Sequence, residues 1–278
     1  MNHILVTGAT GTTGSRTAAR LRAAGHPVRA AARNGDPRFD WYDPTTHDAA
    51  LDGVDRVYLV PPPGETDPAR IMLPFLRRAR AAGVRRAVLL SSSAVPPGGP
   101  AVGEVHAALP SLFGEWAVLR PSWFMQNFLR DHAHARSIRA TGTVASATGT
   151  GRVAFIDADD IAAVAAHALT AAEAPNTDLI LTGPQALTFD DIAATLTEVT
   201  GRPVTHQRLS YDQLRERLAA GLPAEFAALL ASLDLAIADG AEDRTTPTVH
   251  HLTGRPAADF RTVAVRELGR AGGVNDRS

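Results

Sequence analysis

Two residue types are missing from this chain altogether: its 278 residues include no cysteine and no lysine. Without cysteine there are no disulfides, thiolate nucleophiles, zinc–thiolate sites or iron–sulfur clusters of the usual kind, so any redox chemistry must come from a bound cofactor. Without lysine, arginine supplies all 28 basic side chains. Charge of one sign is also scarce as a block, because the 28 basic and 29 acidic residues are scattered and nearly cancel, to a net −1. A nucleic-acid partner would want a basic face, and none is expected. Long hydrophobic runs are absent too. The run Ile4-Leu5-Val6 is too short for a signal peptide, and nothing later approaches the ~20 apolar residues of a membrane span. The expectation is a soluble cytoplasmic protein with no membrane partner.

What is present is length and hydrophobic content, 45%, enough to bury a sizeable core. Short β-branched runs alternate with alanine- and arginine-rich helical stretches, the rhythm of a parallel α/β sheet. Strands are predicted at 3–7, 27–32, 38–41, 55–60, 86–91 and 116–119, with helices at 13–24, 68–82 and 122–139. Val57-Tyr58-Leu59-Val60 and Ala87-Val88-Leu89-Leu90 are apolar on both faces, which suits central strands. Further on, helices are predicted at 158–173 and 188–199, a strand at 178–181, and three more helical stretches between 210 and 269. The predicted fold class is α/β: a Rossmann-type doubly wound parallel sheet over 1–157, with a smaller, mostly helical lobe over 158–278 partly interleaved with it.

The chemistry starts at Gly8-Ala9-Thr10-Gly11-Thr12-Thr13-Gly14, which follows the strand Ile4-Leu5-Val6-Thr7 and opens a helix. Glycines there permit a tight turn and close backbone approach, while the N–H groups and dipole of the helix attract a pyrophosphate. The second strand ends at Arg33-Asn34, where an NAD-specific site would place a carboxylate on the ribose diol. A guanidinium there suits a 2′-phosphate and so favours NADP(H). The competing reading is a solvated strand end. Asp40 and Trp41 edge an adenine pocket on one reading, and Trp41 belongs to the core on another.

On these residues the chain resembles the atypical short-chain dehydrogenase/reductases of the NmrA-like group. That group includes NADPH quinone reductases, ergot-alkaloid-type iminium reductases and redox sensors that bind the dinucleotide without turnover. The likeness runs through Val6-Thr7-Gly8-Ala9-Thr10-Gly11, Gly53-Val54-Asp55-Arg56-Val57-Tyr58-Leu59 and Leu119-Arg120-Pro121-Ser122-Trp123-Phe124-Met125-Gln126-Asn127-Phe128. It continues in Gly151-Arg152-Val153-Ala154-Phe155-Ile156-Asp157, Asp160-Ile161-Ala162, Leu181-Thr182-Gly183-Pro184 and Thr253-Gly254-Arg255-Pro256. The resemblance implies that Gly8, Thr10, Gly11, Thr12, Thr13 and Gly14 cradle the phosphates, Arg33 and Asn34 take the 2′-phosphate, and Val60, Pro61 and Pro62 pass beside the ribose. It sets Ser91, Ser92 and Ser93 where relatives keep a catalytic hydroxyl, with Ser91 toward cofactor, Ser92 toward substrate and Ser93 in the chemistry. Pro121 to Phe124 are expected near the nicotinamide, with Trp123, Phe124, Gln126 and Asn127 facing a substrate pocket.

The chain also departs from the group. Typical members use a tyrosine acidified by a lysine four residues on; here lysine is missing, and Tyr42, Tyr58 and Tyr211 lie outside the expected segment. Between His106 and Arg120 the family's helix is expected to be interrupted by Pro110 and Gly114. His106 falls where the tyrosine would stand and is a candidate proton donor, against the reading of a surface or capping histidine. No metal site is expected: His250-His251 diverge on any regular element, and His132 and His134 would not share a face of the predicted helix. Asp157 or Asp159 is expected to cap the helix near 160, and Phe124 or Phe128 to pack inward. The function expected is an NADPH-dependent reductase of a small or medium organic acceptor, an iminium, quinone or enone. The alternatives are an NADP(H)-sensing regulator and a non-redox isomerase or cyclase reusing the pocket.

Overall fold

The computed structural model describes residues 3–272. Along the chain run β1 (His3–Val6), α1 (Thr12–Ala23), β2 (Val28–Ala30), α2 (His47–Leu51), β3 (Val54–Leu59), α3 (Ala69–Ala81), β4 (Arg86–Leu90), α4 (Gly103–Leu112) and β5 (Glu115–Pro121). Then come α5 (Ala133–Thr141), β6 (Thr143–Ser146), α6 (Ala158–Thr170), β7 (Thr177–Leu181), α7 (Phe189–Thr200), β8 (Thr205–Arg208), α8 (Tyr211–Ala219), α9 (Ala224–Ala238), α10 (Thr248–Thr253) and α11 (Phe260–Gly272). These form two compact units. The first takes the chain as far as Pro121, then Ala158–Leu181 and Thr248–Arg255; the second takes Ser122–Asp157, Thr182–Pro247 and the chain from Pro256 onward.

The first unit is a six-stranded, all-parallel sheet in the order β2-β1-β3-β4-β5-β7. Its central strands are apolar on both faces, as the sequence requires: Val57, Tyr58, Leu59, Ala87, Val88 and Leu89 are all fully buried. From β1 the chain winds outward through α1 to β2, and then returns to β3 on the other side of β1. The order therefore reverses between β1 and β3, the place where open parallel sheets leave a crevice at their carboxyl edge. Two sequence expectations are corrected. Residues 38–41 do not form a strand; they keep one parallel bridge, Ala32 to Arg38, because Pro37 offers no N–H and Phe39 and Trp41 turn into the core beneath α3. Nor does Pro110 interrupt the helix before β5, since α4 runs through it and ends at Leu112, where Phe113 turns extended.

The second unit packs around Phe128, Phe155, Phe189 and Phe260, whose rings meet edge-on at 5.2–5.9 Å. It also contains a two-stranded parallel sheet, β6 with β8, that the sequence did not announce. The continuous helix expected at 122–139 is absent. Phe124 instead bridges to Ile156, with Ile156 N–H donating to Trp123 O and Met125 N–H to Ile156 O, both at 2.9 Å. A 3₁₀ turn over Met125–Phe128 follows, and α5 begins only at Ala133. Of the expected inward-facing pair, Phe128 is the core residue and Phe124 stays half-buried. Four helices, rather than the three expected between 210 and 269, follow residue 210 among the described residues.

Candidate functional site

At the reversal of the first unit's sheet, the glycine turn leaves β1 and the Val60–Pro62 segment leaves β3. Thr7 ties the two strand ends together: its N–H and hydroxyl both donate to Tyr58 O, at 3.0 and 3.1 Å, and its hydroxyl accepts from Val60 N–H at 2.9 Å. Gly8 sits at φ +60°, and a Cβ there would stand 3.0 Å from the Val60 Cβ, so both a left-handed backbone and a close approach demand glycine. Gly14 is more constrained still, because a Cβ would fall 2.3 Å from the Gly8 carbonyl oxygen. Gly11 is exposed, and a Cβ on it would meet only that same oxygen, at 3.2 Å. The N-cap residue of α1 is Gly11, which has no side chain to cap the first turn. The backbone N–H groups of Thr12, Thr13 and Gly14 therefore open a positive helix end beside an exposed glycine and the exposed Thr10. These residues fit a dinucleotide pyrophosphate.

Arg33 and Asn34 are exposed in the turn that leaves β2. Nearby arginines are occupied, Arg29 by Asp52 at 3.3 Å and Arg38 by Asp43 at 3.1 Å, whereas Arg33 has no hydrogen bond or ion pair among the described residues. Trp41 resolves toward the core: it is 8% exposed, meets Phe39 and Phe75 edge-on, and donates its indole N–H to Val60 O at 3.0 Å. Pro61 is half-buried and Pro62 buried.

The serine segment leaves β4 on the same edge. Ser91 N–H donates to Leu119 O and Ser93 N–H to Pro121 O, while Ser92 Oγ accepts from Ala94 N–H. Arg120 fixes this loop by donating to the carbonyls of Ser92 and Ser93 and to Asp178 at 2.6 Å. Sequence reasoning missed this clamp, since Asp178 lies 58 residues from its partner. His106, on α4, is buried at 3% exposure and its Nδ1 has no hydrogen-bond partner. Burial holds its pKa below the usual imidazole value, Asp178 acting against this and Arg120 with it. An imidazole so placed is neutral near pH 7 and gains its second proton only at lower pH. It is neither a surface nor a capping residue. Tyr58 is fully buried in β3, and the exposed Tyr42 donates to Glu65.

The residues expected to face substrate separate within the second unit. Trp123 and Asn127 line a cavity of about 610 Å³, whose apolar wall includes Leu214, Leu218, Leu222, Phe226, Leu230 and Leu233. Gln126 does not line it. The Gln126 side chain is 2% exposed and donates to the Asp157 carboxylate at 2.7 Å, which also receives Arg266 at 2.9 Å, so its amide is committed to a buried network. Asp157, directly before α6, is the acceptor of that network, and Asp159 pairs with Arg16 at 2.9 Å. His132 stands just before α5 in extended backbone, not within a helix. Its Nδ1 accepts from His134 N–H, and the two rings lie 5.1 Å apart on the same cavity wall. No group of three or more metal-ligating side chains comes together among the described residues. Asp234 lines the cavity as well, and the sequence carried a signal for it: it is the one charged residue in Phe226–Ala238, an otherwise alanine- and leucine-rich helix.

Comparison with known proteins gives these features a setting. Residues 4–111 match the model of the NAD dependent epimerase/dehydratase family. The chain is 44% identical over 262 residues to an uncharacterized oxidoreductase, YesF, of Bacillus subtilis, covering 91% of each chain. It is 41% identical to an agroclavine dehydrogenase of Claviceps fusiformis, covering 92% of this chain and 95% of that protein. Among solved structures it resembles an NADPH-dependent quinone oxidoreductase of Escherichia coli in complex with NADPH, with a TM-score of 0.75 and 25% identity, over 95% of this chain and 99% of the other. No helix among the described residues is long and apolar enough to cross a membrane.

Proposed function

The chain belongs to the NAD(P)-binding, short-chain dehydrogenase/reductase-like oxidoreductases that include the clavine dehydrogenases, and from that premise we propose that it is an NADPH-dependent reductase of a small organic acceptor. The observation that carries the cofactor choice is Arg33, exposed where β2 ends and without a hydrogen bond or ion pair among the described residues. Gly8 to Gly14 would hold the pyrophosphate, Val60 to Pro62 and Ser91 would flank the ribose, and the 2′-phosphate would meet Arg33 and Asn34. When bound, the dinucleotide supplies the hydride. Trp123 and Asn127, in the second unit's cavity, would contact the acceptor.

The acceptor class follows from what the chain lacks. Reduction of a simple ketone leaves an alkoxide, which a positioned acid must neutralise in the transition state. Lysine is absent, Tyr58 is sealed in the sheet with burial making its phenol still less acidic, and His106 is neutral. An iminium carbon needs no such acid, and quinones or enones spread the charge so that a weak donor, the Ser93 hydroxyl or the Asn127 amide, suffices. NADPH consumption measured against iminium ions, quinones, enones and unactivated ketones tests this reading. Turnover is expected with one of the first three classes, and efficient ketone reduction that survives Ser93→Ala and His106→Ala would overturn it.

A further inference from the structure

The cavity of the second unit has a charge pattern that its apolar walls do not require. Six side chains with charge or a titratable ring line it: Asp131, His132, His134, Arg136, Arg217 and Asp234. Asp131 and Arg136 pair with each other at 2.5 Å on exposed side chains. Arg217 is exposed and, among the described residues, reaches only the Ser137 hydroxyl, at 3.5 Å. His132 and His134 are held neutral, since burial lowers both and His134 falls to about 3. Asp234 is left. Its carboxylate accepts one backbone N–H, from Ala147 at 2.8 Å, and no cation pairs with it among the described residues. A largely buried carboxylate without a counter-ion is costly, and one backbone N–H offsets only part of that cost.

We propose that this cavity takes an apolar organic cation, its aromatic or alicyclic body against Trp123, Phe226 and the leucines and its positively charged nitrogen on the Asp234 carboxylate. The ring faces of Trp123 and Phe226 add to the attraction, because aromatic faces favour cations. At about 610 Å³ the cavity is of ordinary size for a small-molecule site. The assignment rests on the reading of this cavity as the acceptor site and makes Asp234 its specificity-determining residue.

Two probes of equal shape isolate the charge: 2-methylisoquinolinium and the isoelectronic, neutral 2-methylnaphthalene. Their binding to the full chain, followed by ligand-observed NMR without NADPH, is expected to favour the cation by about tenfold or more, the scale of a charged contact. Asp234→Asn, whose amide oxygen still accepts from Ala147, should abolish that preference and leave the neutral probe within about twofold. Leu218→Arg, which brings a guanidinium into the same cavity, should weaken the cation more than the neutral probe. Cation affinity should also fall as pH drops through about 6, where Asp234 takes up a proton because burial raises its pKa. The Asp234→Asn chain should lack this loss; protonation of His132 or His134 would persist in the variant and so be recognised. Equal binding of the two probes, no binding of the cation, or a preference that survives Asp234→Asn overturns the proposal. The measurement needs no turnover: charge preference in a chain that reduces nothing would sink the reductase reading alone, and turnover without charge preference would sink the cavity assignment alone.

Discussion

Arg33 and the two later glycines of the turn carry the sharpest single-residue consequences. Arg33 has no partner to lose among the described residues, so its removal acts on the bound state. Arg33→Ala should weaken NADPH binding by about 10- to 100-fold, the value of a charge-assisted contact to the 2′-phosphate, and leave NADH affinity unchanged. Calorimetric titration of both dinucleotides checks this, and equal losses for the two would return Arg33 to a solvated strand end. The sequence treated Gly11 and Gly14 alike, whereas the structure divides them. A Cβ at Gly14 would overlap the backbone oxygen of Gly8, so Gly14→Ala must shift the turn itself and should cost about 1–3 kcal/mol of stability or more. Gly11 stands at φ −84°, a conformation open to any residue, with only a 3.2 Å contact to absorb. Gly11→Val should keep its melting temperature and lose NADPH, which thermal melts with and without cofactor will show.

At the scale of elements, β4 and α6 depend on one buried cation. Arg86 is 1% exposed; it pairs with Glu115 at 2.6 Å and donates to the carbonyls of Ala168, Leu169 and Ala171 at the end of α6. Those are the orphan carbonyls that a helix leaves at its C-terminus, and a guanidinium there also meets the negative end of the dipole. Arg86→Met keeps the apolar stem but strands these groups, and should cost about 3–5 kcal/mol by urea unfolding. A loss under about 1 kcal/mol would mean that water replaces the cap. Elements of this sheet were legible because each declares itself locally: a β-branched run, a glycine turn, a helix end. The bridge from Phe124 to Ile156 and the pairing of β6 with β8 were not, since Thr143 meets Thr205 across the fold and neither strand has a strong apolar pattern. For the same reason the glycine turn and Arg33 could be picked out from spacing, while the commitment of Gln126 to Asp157 and Arg266 could not.

Over the whole molecule, burial has set the protons of several histidines, and this gives stability a pH dependence of definite sign. Burial lowers the pKa of His47, His106, His132, His134 and His206 in the fold. The unfolded chain therefore binds more protons than the native one below about 6.5, and stability must fall as pH falls through that value. Asp234 opposes this, because its carboxyl is raised to about 6 and takes up a proton more readily folded than unfolded; it returns about 1 kcal/mol between pH 7 and 5. His134 outweighs it. Its ring lies stacked on Phe128 at 5.4 Å and against Phe189 at 5.8 Å, and its pKa is lowered to about 3, so protonation of the unfolded chain at pH 5 costs the fold about 2 kcal/mol. The other four histidines act in the same direction. Stability measured by urea unfolding should accordingly decline from pH 7 to pH 5, before ordinary carboxylates titrate. His134→Phe keeps the aromatic stacking and removes the titrating ring, so its loss over the same interval should be smaller by about 2 kcal/mol. An identical loss in the two chains would show that the His134 ring is hydrated in the native state and that the decline has another source.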